Sequence, residues 1–98
     1  MPVLTMTQEC LEGRYLSNED CPLARAINPL LKPNYVINVG GFEFDIYDRE
    51  NRYERLYRYN FSKTVKRQAD KFLYKTAEVG TKMRVAIPRK FLKEAIAD

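Results

Sequence analysis

The 98-residue sequence contains no histidine and no tryptophan, and its only cysteines are Cys10 and Cys21. Without histidine there is no Ser-His or Cys-His pair, so we expect no nucleophilic catalysis and no enzyme. Two cysteines without histidine are too few soft ligands for a closed zinc site, and their spacing is not that of an activated thiolate. We predict two reduced, partly buried thiols, with a disulfide as the alternative, and no metal, cofactor or small-molecule substrate.

Long hydrophobic runs are absent as well, since the longest uninterrupted ones extend over only a few residues. That is far below the ~20 residues needed to cross a bilayer, and the N-terminal MPVLTMTQE lacks the basic and apolar regions of a secretory signal. We therefore predict a cytoplasmic protein that does not engage a membrane. The 12% aromatic content argues against disorder, and the length predicts a single domain over residues 1–98.

The net charge of +4 is unevenly distributed along the chain. Residues 1–48 carry three basic and seven acidic side chains, whereas residues 49–98 carry fourteen basic and six acidic ones. The first half therefore has a net charge of −4 and the second half one of +8. The positive electrostatic field of the second half attracts polyanions or acidic protein surfaces, and salt screens this attraction.

The first third of the chain predicts one short strand and two helices. Residues 3–6 are a short apolar, partly β-branched run typical of a strand, and Thr7 can cap a short helix that Gly13 ends. A second helix is expected after Asp20 as its capping residue, with Pro22 in its first turn and apolar residues at helical spacing behind it.

The middle of the chain has the two-residue period of β-strands. YVINV at 35–39 and FEFDIYD at 42–48 are joined by Gly40 and Gly41, which predicts a hairpin. After a polar turn, residues 52–59 can continue as a third antiparallel strand. Alternation predicts one face of that strand with Tyr53, Arg55, Tyr57 and Tyr59 and the other with Arg52, Glu54, Leu56 and Arg58.

On the second strand of the hairpin, Phe42, Phe44 and Ile46 are predicted on one face and Glu43 and Asp45 on the other. Carboxylates side by side on a strand can bind a metal or perform acid–base chemistry. No third ligand is evident, so we interpret the two as part of a solvated strand face. An enzyme with a carboxylate site there is the weakest of three functional hypotheses.

A basic helix is predicted next. Ser62 is placed to cap a helix over residues 63–75 whose apolar side chains recur at helical spacing. Its outer face carries a basic ridge of Lys63, Lys66, Arg67, Lys71 and Lys75.

The last part of the chain completes the predicted fold. Residues 82–87 alternate as another strand, with Lys82 and Arg84 on its polar side, and Pro88 opens a last helix. We predict an α+β fold, with a small antiparallel sheet of about four strands and helices packed on one face.

The stretch NRYERLYRYN at 51–60 combines three tyrosines with three arginines. Arginine pairs with phosphate or carboxylate in bidentate fashion, and tyrosine stacks on bases or anchors a protein interface. The alternative is that tyrosines cover the core while the arginines stay solvated. The predicted partner-binding residues are Arg52, Tyr53, Arg55, Tyr57, Arg58, Lys63, Lys66, Arg67 and Lys71.

The segment CPLARAINPLL at 21–31, preceded by a short strand and helix and followed by a hairpin and VAIPRKF at 85–91, resembles small proteins of phages and prophages. Those chains carry a C-P-[LIV]-A-x-A helix, and the likeness spans most of this chain in order. The group shares no activity, so the resemblance carries over no catalytic residue. Phages use small, cofactor-free proteins as stoichiometric inhibitors of host machinery. In size and character this chain looks like one class of these inhibitors, the anti-CRISPR proteins.

The first functional hypothesis that this resemblance implies is an inhibitor in the host bacterial cytoplasm. It would bind a CRISPR surveillance complex, on acidic protein patches or on guide RNA, and block target DNA binding through the basic, tyrosine-rich surface. The alternative is a small phage accessory protein that binds DNA or RNA directly.

Overall fold

The computed structural model describes residues 2–14, 17–52 and 54–93, which form helices and antiparallel strands. In chain order these are β1 (Val3–Thr5), α1 (Gln8–Leu11), α2 (Pro22–Ile27), β2 (Tyr35–Val39), β3 (Glu43–Asp48), β4 (Arg55–Asn60), α3 (Lys63–Leu73) and β5 (Lys82–Arg84). Single 3-10 turns lie at Asn28–Leu30 and Arg89–Phe91. The predicted last helix is thus only one turn long, because Leu92 is extended and forms an antiparallel bridge with Leu31. Residues 94–98, on which the prediction also fell, lie outside the described residues.

The strands are divided between two antiparallel sheets. β2, β3 and β4 follow one another in a three-stranded sheet, and β1 pairs with β5 in a two-stranded one. Leu4 lies opposite Met83 across that second pair, and both are buried while their strand neighbours are exposed. The predicted α+β class is confirmed, and the two short strands form a sheet of their own.

The core lies between the helices and the inner faces of both sheets. α2 packs against β1, β2 and α3, and α3 also contacts β5. The sequence PLARAI makes α2 apolar on nearly every side, and Leu23, Ala24 and Ile27 are fully buried. Phe44 from β3 and Phe72 from α3 are fully buried too. Because a helix with this much apolar surface has to be covered, α2 is the element around which the others pack.

The capping residue of α2 differs from the predicted one. Cys21 holds that position, and its Sγ accepts a hydrogen bond from the Ala24 amide at 3.4 Å. Asp20 instead receives two hydrogen bonds from the Arg25 guanidinium, at 2.8 and 3.3 Å, and this interaction holds the pKa of Asp20 below its ordinary value. Cys21 is a buried free thiol, as is Cys10, and burial raises the pKa of Cys21. The predicted capping residue, Asp20, therefore precedes the observed one by one position.

Helix α3 begins as predicted and ends two residues early. The Ser62 Oγ accepts a hydrogen bond from the Val65 amide at 3.2 Å. Beyond the end of the helix, Lys75 adopts a left-handed conformation with a φ of 58°. The Thr76 amide donates to the Lys71 carbonyl at 2.9 Å, which closes the helix end. Glycine is the residue best suited to that conformation, so the Cβ of Lys75 introduces backbone strain.

Replacing Lys75 with glycine should therefore stabilise the fold. The left-handed region costs a residue with a Cβ roughly 1 kcal/mol, which exceeds the entropy that glycine loses on folding there. Lys75 is exposed, so little packing is lost. We expect Lys75→Gly to raise the free energy of unfolding by about 0.5 kcal/mol in urea denaturation. Lys75→Ala removes the same charge but keeps the strain, and it should be neutral; equal stability of the two variants would contradict the strain.

Candidate anion-binding surface

A bulge in β4 decides which way the residues of the tyrosine-rich stretch point. Ile46 lies opposite Tyr57, and the next residue of β3, Tyr47, lies opposite Arg55. Leu56 is therefore an extra residue, and such a residue reverses the alternation of the strand before it. Leu56 and Tyr57 both pack on the core, and Arg55 is exposed. The prediction that Arg55 shares a face with the tyrosines was wrong for this reason.

The two described tyrosines of the stretch close the core. The Tyr57 hydroxyl donates a hydrogen bond to the Ala86 carbonyl at 2.7 Å, and its ring lies 6.0 Å from that of Phe91. Burial raises the pKa of Tyr57 above its ordinary value. The Tyr59 ring packs on Phe44, with 5.1 Å between ring centroids. These contacts favour the core interpretation for both residues, and the predicted site residue Tyr53 lies outside the described residues.

Two arginines of the stretch are engaged within the fold. Arg58 donates two hydrogen bonds to the Asp45 carboxylate, at 2.8 and 3.0 Å, and this interaction raises the pKa of Arg58. Arg52 forms an ion pair with Glu19 at 2.7 Å, with both side chains half exposed. Exposed pairs of that kind are weak, so Arg52 stays accessible to a partner. Arg55 has no ion pair with any residue that the structure describes.

The carboxylate pair on β3 does not form the predicted solvated face. Asp45 is 5% exposed, because Arg58 covers it and the Tyr47 hydroxyl approaches it at 3.4 Å. Its carboxylate is thus occupied by a guanidinium, while Glu43 lies beside the turn at Gly40. Within residues 2–14, 17–52 and 54–93, no three Cys, Asp or Glu side chains form a group that could hold a metal ion.

Helix α3 separates its basic residues into two positions. Lys63, Arg67 and Lys71 follow one another at intervals of about one turn and form an exposed crest. They have no ion pair among the described side chains. Lys66 lies to one side of the crest, where it pairs with Asp70 and places its Nζ 4.9 Å from the centroid of the Phe42 ring. The predicted ridge of five is therefore a crest of three accessible cations, with Lys66 beside it and Lys75 beyond the end of the helix.

Strand β5 contributes two cations that sequence reasoning did not assign to the site. Lys82 and Arg84 are exposed on the outer face of β5, opposite Thr5 and Val3 of β1. Together with Gln68 of α3, this face lines an open groove of about 570 Å³, and none of the described residues lining it is acidic. The alternation around Met83 had already indicated that both cations point outward. What the sequence could not indicate is that β5 lies next to α3.

We call the combined surface of Lys63, Arg67, Lys71, Lys82 and Arg84 the basic face. Lys71 lies one turn beyond Gln68 on α3, so the crest and the groove adjoin. The groove also offers the Thr5 hydroxyl and the Gln68 amide as neutral hydrogen-bonding groups. Cations of this kind bind phosphate or carboxylate oxygens. The arrangement can therefore hold an extended anion and offers no catalytic group among its described residues.

Comparison of this chain with known protein families, curated proteins and solved structures finds no match. Among the described residues, none of the helices has both the length and the apolar character that a membrane span requires.

Proposed function

We propose that this chain is a phage-encoded inhibitor of the anti-CRISPR type that acts by binding rather than by catalysis. In this proposal it binds a bacterial CRISPR effector complex in the host cytoplasm and keeps target DNA out. The observation that carries the binding role is the basic face, a set of exposed cations without carboxylate partners among the described residues. The choice of a CRISPR complex rests on the resemblance to small phage proteins.

The charge of the basic face limits what it can contact on such a complex. A cationic surface does not imitate DNA, so it would bind guide RNA phosphates or an acidic protein patch. Effector complexes hold guide RNA in a positively charged channel through its backbone, so the ligand for further cations would be phosphates on a part of the RNA outside that channel. Arg52, which precedes β4, and Arg55, at its start, are exposed as well and would be available for a separate contact.

Direct binding to nucleic acid is the second candidate function, and the groove beside β5 favours it. Its cations, hydroxyl and amide are the groups that contact phosphate and sugar in nucleic-acid interfaces. In that case the protein should retain naked DNA or RNA, with a steep dependence of affinity on salt concentration.

Charge reversal on the crest tests the binding role. The variant Lys63→Glu, Arg67→Glu, Lys71→Glu should lose at least tenfold in affinity, because each change replaces attraction to an anion by repulsion. The measurement is capture of a purified CRISPR effector complex by the tagged protein, in parallel with binding of labelled RNA and DNA. Capture of the complex without retention of naked nucleic acid supports inhibition, and the reverse supports the second candidate.

A matched control separates local contact from net charge. Lys32→Glu, Lys90→Glu, Lys93→Glu changes the net charge equally, on segments that contribute nothing to the basic face. We expect the control to keep most of the affinity of the parent. If the crest variant stays folded and binds as tightly as the control, the basic face is not the interface.

A further inference from the structure

We infer that the cleft between the β2–β3 turn and α3 receives an unpaired base of a single-stranded nucleic acid, with Phe42 as the ring on which that base stacks. The inference rests on the second candidate function, direct binding of nucleic acid, in that the basic face holds the same strand by its phosphates. It adds a base contact at a position that charge alone does not indicate.

Phe42 is the first reason for this assignment. It directly follows the Gly40-Gly41 turn, and its side chain is 73% exposed, the largest value among the large apolar residues that the structure describes. Sequence alternation predicted it on the core face with Phe44, but it precedes β3 and is exposed. Its carbonyl accepts a hydrogen bond from the Phe61 amide at 2.9 Å, so its backbone is fixed. An aromatic side chain has only two rotatable bonds, so ordering this ring on binding costs little entropy.

The cleft beside Phe42 has the composition of a base site. Val39 and Leu73 supply an apolar wall, and the half-exposed Tyr74 adds a second ring. Ser17 and Asn18 supply hydroxyl and amide groups that can pair with the edge of a base. Gly41 leaves the backbone open, since a Cβ added there would meet no atom within 4 Å, whereas the Glu43 carboxylate lies against Gly40. A flat polar ring can therefore enter from the side of the turn.

The third reason is the position of the cations. The Nζ of Lys66 lies 4.9 Å from the Phe42 ring centroid, and the crest residues Lys63 and Arg67 lie within one helical turn of Lys66. A strand that crosses α3 from the groove to the cleft would have phosphates on the crest and a base at Phe42. Aromatic rings beside a row of cations are the combination by which proteins bind single strands.

An apolar side chain of a protein partner is a poorer occupant of the same cleft. Protein-binding patches are contiguous apolar areas, whereas Ser17, Asn18 and the Lys66–Asp70 ion pair line the cleft together with its apolar residues. A duplex is a poorer occupant too, since its bases are stacked on each other and cannot reach an isolated ring.

The test uses the full chain and a fluorescent oligouridylate of about 12 nucleotides, a length within the range that small single-strand binding domains cover. Phe42→Ala should weaken binding about tenfold, as expected when a stacked ring is removed. Its salt dependence should be unchanged, because the cations remain. Val79→Ala is the matched control, since Val79 is 58% exposed outside the cleft, and it should bind like the parent. An abasic oligomer of equal charge should bind the parent weakly and be insensitive to Phe42→Ala.

Two results would overturn the base site without contradicting the proposed binding role of the basic face. One is unchanged oligouridylate binding by Phe42→Ala together with weak binding by the crest variant. The other is equal binding of the abasic oligomer, or tighter binding of a duplex, by the parent. A loss of effector-complex capture in Phe42→Ala without any loss of oligouridylate binding would assign the cleft to a protein partner instead. If neither the crest variant nor Phe42→Ala changes oligouridylate binding or complex capture, both the proposed function and the base site fail.

Discussion

Tyr57→Ala should lower the free energy of unfolding by about 3 kcal/mol. Truncating a buried aromatic side chain removes its apolar contacts and leaves a cavity, and Tyr57 lies between the sheet and the Phe91 ring. The change also leaves the Ala86 carbonyl without the hydroxyl that now donates to it at 2.7 Å. Tyr57 is only partly buried, so we place the effect at the lower end of the range for aromatic residues. Urea denaturation measures it.

Tyr57→Phe separates the two contributions of this side chain. It keeps the ring and removes only the hydroxyl, so the expected loss is about 1 kcal/mol. Neither variant should alter the affinity of the folded protein for nucleic acid or for an effector complex by more than about twofold, because the ring faces inward. A Tyr57→Ala protein that is as stable as the parent but fails to bind would show instead that Tyr57 belongs to the interface.

Local signals in the sequence predicted the ends of elements better than the contacts between them. Thr7 and Ser62 cap α1 and α3 as predicted, and Gly40-Gly41 joins a hairpin. These features depend on a few neighbouring residues, whose side chains bond to backbone groups within one turn. Asp20 shows the limit of such signals, since its carboxylate had a stronger partner in Arg25.

The bulge at Leu56 lies beyond what a residue pattern can show. The strand period is two, so one extra residue moves every side chain before it to the opposite face. Nothing in LYRYN marks that residue, because each of its apolar side chains fits either a regular strand or a bulged one. Prediction therefore put Arg55 on the tyrosine face, although the structure has it opposite Tyr47.

The prediction of the candidate site was incomplete for a similar reason. Composition counts charges but does not show which of them are paired, and Arg58 and Lys66 proved to have carboxylate partners. Conversely, Lys82 and Arg84 join the basic face only because β1 holds β5 near α3, a contact between distant parts of the chain. What the sequence could predict was the helical crest of Lys63, Arg67 and Lys71.

Arg58→Met should lower the free energy of unfolding, and by more than the same change at the exposed Arg55. It removes the guanidinium that satisfies both oxygens of Asp45, whose carboxylate is buried, and an unpaired charge in such a site is strongly destabilising. The Arg58 side chain is itself 40% exposed, so water can reach the vacated position and reduces the loss. Arg55→Met is the matched control on the same strand and should cost less than about 0.5 kcal/mol.

Adding Asp45→Val to Arg58→Met should recover most of the lost stability, to within about 1 kcal/mol of the parent, because replacing both partners of a buried ion pair by apolar side chains is often close to neutral. The same double variant decides whether Arg58 also contacts a partner. If Arg58 is a structural residue alone, the folded double variant should bind whichever of the two proposed partners the parent binds, with the affinity of the parent. If its guanidinium also contacts the partner, affinity stays low although stability has returned. A single variant as stable as the parent would refute the structural role, since Asp45 would then not need its guanidinium in the folded protein.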